Sequence, residues 1–352
     1  MNRYWSKQIE GLDPYIPGEQ PRDQQYIKLN TNENPYPPSP SVANVLQDFE
    51  VAQLRRYPDP ESTALIASLA ANQGLEAGQI FVGNGSDEVL AHAFQAFFRQ
   101  DYPILFPDIS YSFYPVYCKL FQIEYHQPAL DSQFRINIRD YAAANGGIII
   151  PNPNAPTGIA LETGALRELL ADNPESVVII DEAYVDFGAE SACPLIAEFP
   201  NLLVVQTFSK SRSLAGLRLG FALGQENLIA ALQRVKNSFN SYPVDSLTSD
   251  CALAALADED HFQQCCQRII ASRERLGTEL QQLGFEVFPS SSNFVFVRHA
   301  SAAAATLYHD LKSAGILVRY FKTARIDNCL RISIGSDPEC DALVSALHKI
   351  LA

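Results

Sequence analysis

Short apolar runs bounded by Gly, Pro or Asn alternate with amphipathic stretches along most of the chain, a pattern that predicts strands joined by crossover helices. Ile104-Leu105-Phe106, Gly147-Ile148-Ile149-Ile150, Val177-Val178-Ile179-Ile180 and Leu202-Leu203-Val204-Val205 read as buried strands, and Leu219-Gly220-Phe221-Ala222-Leu223 as another. Helices are predicted over 62–72, 89–98, 161–170 and 229–239, with a further one starting at Tyr111-Ser112-Phe113-Tyr114. Strands alternating with helices imply a mostly parallel sheet. The pattern breaks at Asn240-Ser241-Tyr242-Pro243-Val244. Beyond it come a long helical stretch to Leu283, strands at 293–297, 316–318 and 330–334, and helices around 302–312 and 338–351. The expected fold is α/β: a large domain with a mostly parallel mixed sheet over 46–243, and a smaller α+β domain over 244–352. Residues 1–45 are expected to form an arm and part of the small domain.

That arm is dense in proline, from Pro14-Tyr15-Ile16-Pro17-Gly18 to Pro37-Pro38-Ser39-Pro40, so it is predicted to be extended with turns. Trp5, Tyr15, Tyr26 and Tyr36 favour docking on another surface over solvation.

At 352 residues with 47% hydrophobic composition, the chain can bury a substantial core in one large or two modest domains. The formal charge of -14 argues against a nucleic-acid surface, which needs clustered Lys and Arg. An anionic substrate must then be held by a few local arginines. Seven cysteines, with no Cys-x-x-Cys, suit neither a disulfide framework nor a metal site and point to a reducing cytoplasm. No segment approaches the roughly 18 uninterrupted apolar residues of a membrane span, and the N-terminus lacks an apolar signal core.

Polar groups recur at the C-terminal ends of successive strands, where open α/β sheets bind ligands: Asn154, Asp181, Tyr184, Thr207 and Lys210. Thr207-Phe208-Ser209-Lys210 is followed by Arg218, eight residues beyond the lysine. A lysine amine can form a Schiff base with a carbonyl, while hydroxyls and a guanidinium hold a phosphate beside it. Gly83-Asn84-Gly85-Ser86-Asp87-Glu88 leads from a short strand into a helix and offers backbone N–H groups to an anion. A lone lysine is usually a solvated surface residue and a lone Ser an ordinary cap; the repeated series is what favours a site.

With these motifs assembled, the chain resembles the fold-type I pyridoxal-phosphate enzymes and, within them, the histidinol-phosphate aminotransferases. The resemblance runs from Pro14-Tyr15 through Asn32-Glu33-Asn34-Pro35, Arg56-Tyr57-Pro58-Asp59-Pro60 and Pro153-Asn154-Ala155-Pro156-Thr157-Gly158. It continues through Asp181-Glu182-Ala183-Tyr184, Ser209-Lys210 and Ala215-Gly216-Leu217-Arg218 to Leu330-Arg331-Ile332. It implies that Lys210 is the Schiff-base lysine and proton carrier, that Asp181 pairs with the pyridine nitrogen, and that Tyr184 and an asparagine bond the ring hydroxyl. It further implies that Tyr111 stacks on the ring, and that Ser86, Asp87, Thr207, Ser209 and Arg218 hold the phosphate. Relatives often have Asn directly before Pro-Thr-Gly; here that position is Ala155, which leaves Asn154 or Asn152 as the substitute. Arg331, with Arg319, Tyr15 and Asn32, is the implied substrate-anion site, and Tyr57 reaches in from a second subunit of a homodimer. No metal is implied. The implied reaction is amino transfer between L-histidinol phosphate and 2-oxoglutarate in the route to histidine. Alternatives are amino transfer on phenylalanine or tyrosine, and decarboxylation of threonine phosphate.

Overall fold

Where the apolar runs are continuous, the strands are buried on both faces, and their side chains divide by the two-residue period of a strand. In the computed structural model, which describes residues 3–16, 18–21 and 25–352, the elements in chain order are α1 (Lys7–Glu10), β1 (Ile27–Leu29), α2 (Pro40–Asp48), α3 (Thr63–Gln73), β2 (Ile80–Gly83), α4 (Gly85–Phe97), β3 (Ile104–Leu105), α5 (Tyr114–Phe121), β4 (Tyr125–His126), β5 (Ile148–Pro151), α6 (Thr163–Asp172), β6 (Val178–Asp181), β7 (Leu202–Thr207) and β8 (Gly220–Gly224). There follow α7 (Glu226–Phe239), α8 (Ser246–Ala257), α9 (Glu259–Gln282), β9 (Phe285–Val287), β10 (Phe294–His299), α10 (Ala304–Ser313), β11 (Ile316–Tyr320), β12 (Leu330–Ser333) and α11 (Asp337–Leu351). Met1, Asn2, Pro17 and residues 22–24, all in the expected arm, lie outside the described residues.

Among the described residues a seven-stranded sheet has the order β2-β8-β7-β6-β5-β3-β4. Only β8 runs against its neighbours β2 and β7; the other pairings are parallel, as the alternation of strands and helices predicts. Ile148, Ile150, Val178, Ile180, Leu202 and Val204 enter the core on one face. Ile149, Ile179, Leu203 and Val205 enter the core on the other. β5, β6 and β7 are thus sealed from water on both faces, and only their C-terminal ends are open to a ligand.

A second, five-stranded sheet has the order β1-β11-β12-β10-β9. Apolar residues of α9, α10 and α11 pack on it in a separate core with Val295, Val297, Val318 and Ile332. A small third cluster bridges the two parts: Ile109, Leu130 and Phe134 meet Phe288, Phe296, Ile326 and Cys329.

Three expectations are corrected. The arm is not wholly extended with turns: Lys7–Glu10 form the short helix α1, and residues 27–29 form a regular strand, β1, parallel to β11, both too short to show a period. Pro40 starts α2 instead of breaking structure: it occupies the first turn, where no N–H is needed, and the Ser39 hydroxyl accepts from the Ser41 N–H at 3.1 Å. The division expected at 243 does not coincide with the change of core. Helix α8 contributes Cys251, Ala252, Ala255 and Leu256 to the large-sheet core and packs against α2 and α3. The second core begins with α9, after Asp258 ends α8 and caps α9 through the His261 N–H. No helix among the described residues is long and apolar enough to cross a membrane.

Candidate active site

A cavity of about 390 Å³ opens where the C-terminal ends of β6 and β7 face the second sheet, and Tyr15, Asn32, Ser86, Asp87, Tyr111, Asp181, Tyr184, Thr207, Ser209, Lys210, Arg218, Arg319 and Arg331 all line it. The sequence-predicted residues are therefore brought together, with the exception of Asn152, Asn154 and Tyr57.

Lys210 leaves β7 on a tightly bonded loop. The Thr207 hydroxyl donates to the Leu219 carbonyl at 3.2 Å and accepts from the Ser209 N–H at 3.1 Å, so it shapes the loop as well as lining the cavity. Asn34 donates its side-chain amide to the carbonyls of Lys210 and Ser211 at 3.1 and 3.2 Å, and Ser211 donates to Asp186. The lysine backbone is thus held from two sides. Its Nζ donates to the Thr31 carbonyl at 3.4 Å and sits 5.7 Å from the centroid of the Tyr184 ring.

Asp181 ends β6, buried beneath the cavity. Its Oδ2 accepts from the Tyr114 hydroxyl at 2.8 Å and its Oδ1 from the Ala183 N–H at 3.3 Å. Among the described residues it has no ion-pair partner. Burial pushes its pKa up to about 6, against the two hydrogen bonds that favour the charged form.

Asp87 organises the opposite wall. Its Oδ1 accepts from Tyr111 at 2.9 Å and its Oδ2 from Arg218 at 3.1 Å, while Tyr117 donates to its carbonyl at 2.8 Å. The carboxylate therefore serves as a bracket for the ring and the guanidinium beside it. Ser86 and Asp87 lie in the first turn of α4, where backbone N–H groups have no partner within the helix and suit an anion. Two glycines make the close approach possible. A Cβ on Gly220 would lie 2.2 Å from the Ser86 nitrogen, and one on Gly85, whose φ is +83°, would lie 2.5 Å from Arg218 Nη2.

Arg319 and Arg331 are register partners on β11 and β12, and both face the cavity. Arg331 Nη2 donates to the Asn30 carbonyl at 3.1 Å, and its Nε is buried without a partner. Phe294 and Phe321 flank it, with ring centroids 5.2 and 5.8 Å from the guanidinium carbon. Burial lowers the Arg331 pKa. Neither arginine forms an ion pair among the described residues, so the pair can accept an anion from solution.

Neither of the two asparagines expected from the sequence is among the residues lining the cavity. Asn154 does not line the cavity: its amide donates to the Ile109 carbonyl and the Thr157 hydroxyl, both at 3.0 Å. Asn152 is tied to Leu161, accepting from its N–H at 2.7 Å and donating to its carbonyl. Both lock the proline loop, and Ala155 and Pro156 are what that loop shows to the cavity. Tyr184 is instead oriented by Asn32, whose Nδ2 donates to its hydroxyl at 3.0 Å. Asn32 holds a left-handed backbone, φ 56°, with its Oδ1 and N–H both bonded to Ser333. Since an amide N–H only donates, the Tyr184 proton is left to point elsewhere. Tyr57 is 82% exposed and stacks on Tyr242 at 4.7 Å, away from the cavity of its own chain. Tyr114, Asn34 and Thr31 were missed by sequence reasoning. For Tyr114 the signal was present, because it follows Tyr111 by three residues.

The family described as aminotransferase class I and II matches residues 24–347. The chain belongs to that family. Among its relatives, the histidinol-phosphate aminotransferase of Chromohalobacter salexigens is 55% identical over 350 residues, covering 99% of both chains. Histidinol-phosphate aminotransferase 1 of Pseudomonas aeruginosa is 55% identical over 348 residues, again 99% of both. The crystal structure of histidinol-phosphate aminotransferase from Sinorhizobium meliloti in complex with pyridoxal-5'-phosphate matches with a TM-score of 0.90 at 25% identity, over 99% of this chain and 98% of that one.

Proposed function

We propose that this aminotransferase moves the amino group of L-histidinol phosphate to 2-oxoglutarate, giving imidazole acetol phosphate and L-glutamate, in histidine biosynthesis. The observation that carries the reading is the meeting, in one cavity, of Lys210, the buried Asp181 and two arginines without carboxylate partners among the described residues. The full-length relatives named for this activity support it.

The site fits pyridoxal phosphate. Asp181 is a buried carboxylate without an ion-pair partner among the described residues, and the Gly85–Gly220 approach leaves a cradle at the start of α4 for a phosphate. Lys210, Asp181, Tyr184, Tyr111, Ser86, Asp87, Thr207, Ser209 and Arg218 would hold it. When bound, the group supplies a carbonyl that takes up the amino group and a protonated ring that accepts the electron pair released at the substrate carbon. Lys210 Nζ takes the proton from the substrate α-carbon, in reach because Asn34 and Thr31 fix its loop and its amine. Asp181 keeps a proton on a ring nitrogen docked against it, since two opposite charges in a buried site stabilise each other. Tyr184 donates to a ring hydroxyl with the proton that Asn32 leaves free. Arg319 and Arg331, with Tyr15 and Asn32 beside them, bind the phosphate of one substrate and a carboxylate of the other, both of which fit a guanidinium fork.

A homodimer with shared sites accords with Tyr57, Phe239 and Tyr242, which are exposed aromatic residues at 82%, 76% and 42%. A cytoplasmic setting accords with seven cysteines that are all unpaired.

The deciding experiment supplies the purified enzyme and 2-oxoglutarate with L-histidinol phosphate, L-phenylalanine or O-phospho-L-threonine, and assays glutamate and carbon dioxide. Fastest glutamate formation from histidinol phosphate, without carbon dioxide, is expected. Preference for phenylalanine would move the reading to aromatic amino acids, and carbon dioxide from phosphothreonine would make the chain a decarboxylase.

A further inference from the structure

The turn before α5 and the start of that helix present three tyrosines at three-residue spacing, Tyr111, Tyr114 and Tyr117, and each donates its phenolic proton toward the back of the cavity. Tyr114 differs from the other two in its acceptor. Tyr111 and Tyr117 bond to Asp87, whereas Tyr114 bonds to the carboxylate that faces the cofactor site. It is fully buried, and its ring is held by Phe94, Phe106 and Tyr111 at centroid distances of 6.2, 5.7 and 5.5 Å, the last two edge to face. A ring wedged in this way cannot turn its hydroxyl to water. Its one polar partner among the described residues is Asp181 Oδ2.

We infer that Tyr114 is a positioning residue for amino transfer: by donating to Asp181 it keeps that carboxylate charged, and so keeps the ring nitrogen of the bound cofactor protonated. The inference rests on the cofactor reading above.

The physical argument is one of competing terms. Burial disfavours the charged form of Asp181, and Asp87 adds like-charge repulsion, while Lys210 opposes both. Arg218, paired with Asp87, and the phenols Tyr111 and Tyr117 are the other ionisable groups at this wall, and both phenols remain neutral donors because burial pushes their pKa values up. Tyr114 likewise stays protonated, for the same reason. It is a neutral, permanent donor. Among the described residues the carboxylate has only one other hydrogen bond, the long one from Ala183. A hydrogen bond to a charged acceptor is among the stronger in proteins, so this phenol is the largest favourable influence on the Asp181 charge before the cofactor arrives.

The test is the pH dependence of pyridoxal phosphate binding by the full-length apoprotein, followed by absorbance, for wild type, Tyr114→Phe, Asp181→Asn and the double variant. Tyr114→Phe should bind roughly tenfold more weakly near pH 6, because the charged Asp181 of the complex loses its donor while the protonated Asp181 of the apoprotein loses little. The deficit should shrink at higher pH, where Asp181 is charged with or without cofactor. In the Asp181→Asn background, Tyr114→Phe should change nothing. A loss that is equal at every pH, or that persists in the Asp181→Asn background, would make the phenol a packing group only and overturn the inference. Should Tyr114→Phe fail to fold, 3,5-difluorotyrosine at position 114, a stronger donor of nearly the same size, should tighten binding near pH 6; no tightening would count against the inference. Wild type that failed to bind pyridoxal phosphate would remove the cofactor reading itself. Wild type that bound, with an unshifted Tyr114→Phe, would remove this inference alone.

Discussion

Asp181 carries its charge where charge is unfavourable, and two expected outcomes follow at the scale of the residue. Replacement by Asn should leave cofactor bound but slow proton removal from the substrate by orders of magnitude, because a ring nitrogen without an anionic partner loses its proton and ceases to accept electrons. Single-turnover absorbance kinetics measure this directly, and an unchanged rate would assign the ring proton to another group. The second outcome concerns the apoprotein. The folded Asp181 has its pKa raised from 3.8 to about 6, so the folded chain holds this proton more tightly than the unfolded one. Its stabilising effect is present at low pH and is lost as pH rises through that window. Thermal melts should therefore show apo Asp181→Asn gaining on wild type across that range. Asp181 and Lys210 were legible in the sequence because strand ends are where ligands bind. The asparagine was less legible: Asn154 stands in the right loop, but its Nδ2 donates to Ile109 and Thr157 while its Oδ1 is buried without a partner among the described residues, and which way a side chain turns in a loop has no periodic signal.

Secondary-structure elements deliver these residues through their ends more than through their faces. The first turn of α4 can approach the β8 edge only because Gly220 has no side chain. Gly220→Ala, harmless to an isolated strand, should push Ser86 away and weaken pyridoxal phosphate binding at least tenfold with circular dichroism unchanged; unaltered affinity would mean that this helix start is not the phosphate site. Helix α2 offers a stability test. Ser39→Ala removes the cap on Ser41 and should cost about 1 kcal/mol in urea unfolding. Most helices and strands were readable from their periods to within a few residues. Those that were not are α1, β1, β4 and β9, each too short to show a period, and α2, whose first residue is a proline that marks a helix start only when the cap before it is considered.

At the scale of the molecule, the cavity exists because the second sheet is folded back over the first. Asn32 and Ser333, bonded to each other, join segments from opposite ends of the chain, and Arg319 and Arg331 reach the cavity from that sheet. Association is expected to complete the site. Mixing Lys210→Ala chains with Tyr57→Ala chains should restore amino transfer, since each mixed dimer would hold one intact site. With random pairing the recovery is about a quarter of wild-type activity. No recovery, with dimers seen by ultracentrifugation, would show that Tyr57 serves only its own chain.

The order of strands and helices, the residues at the strand ends and the two glycines of the turn before α4 follow from the sequence by itself, because periodicity and turn chemistry act between neighbours in the chain. The tertiary structure alone decided that α8 belongs to the core of the large sheet and that the Asn154 side chain donates to Ile109 and Thr157. It also decided that Asn32 orients Tyr184 and that Tyr114 sits beneath Asp181. These are contacts between segments far apart in sequence, and a hydrogen bond between distant segments leaves no pattern in either one.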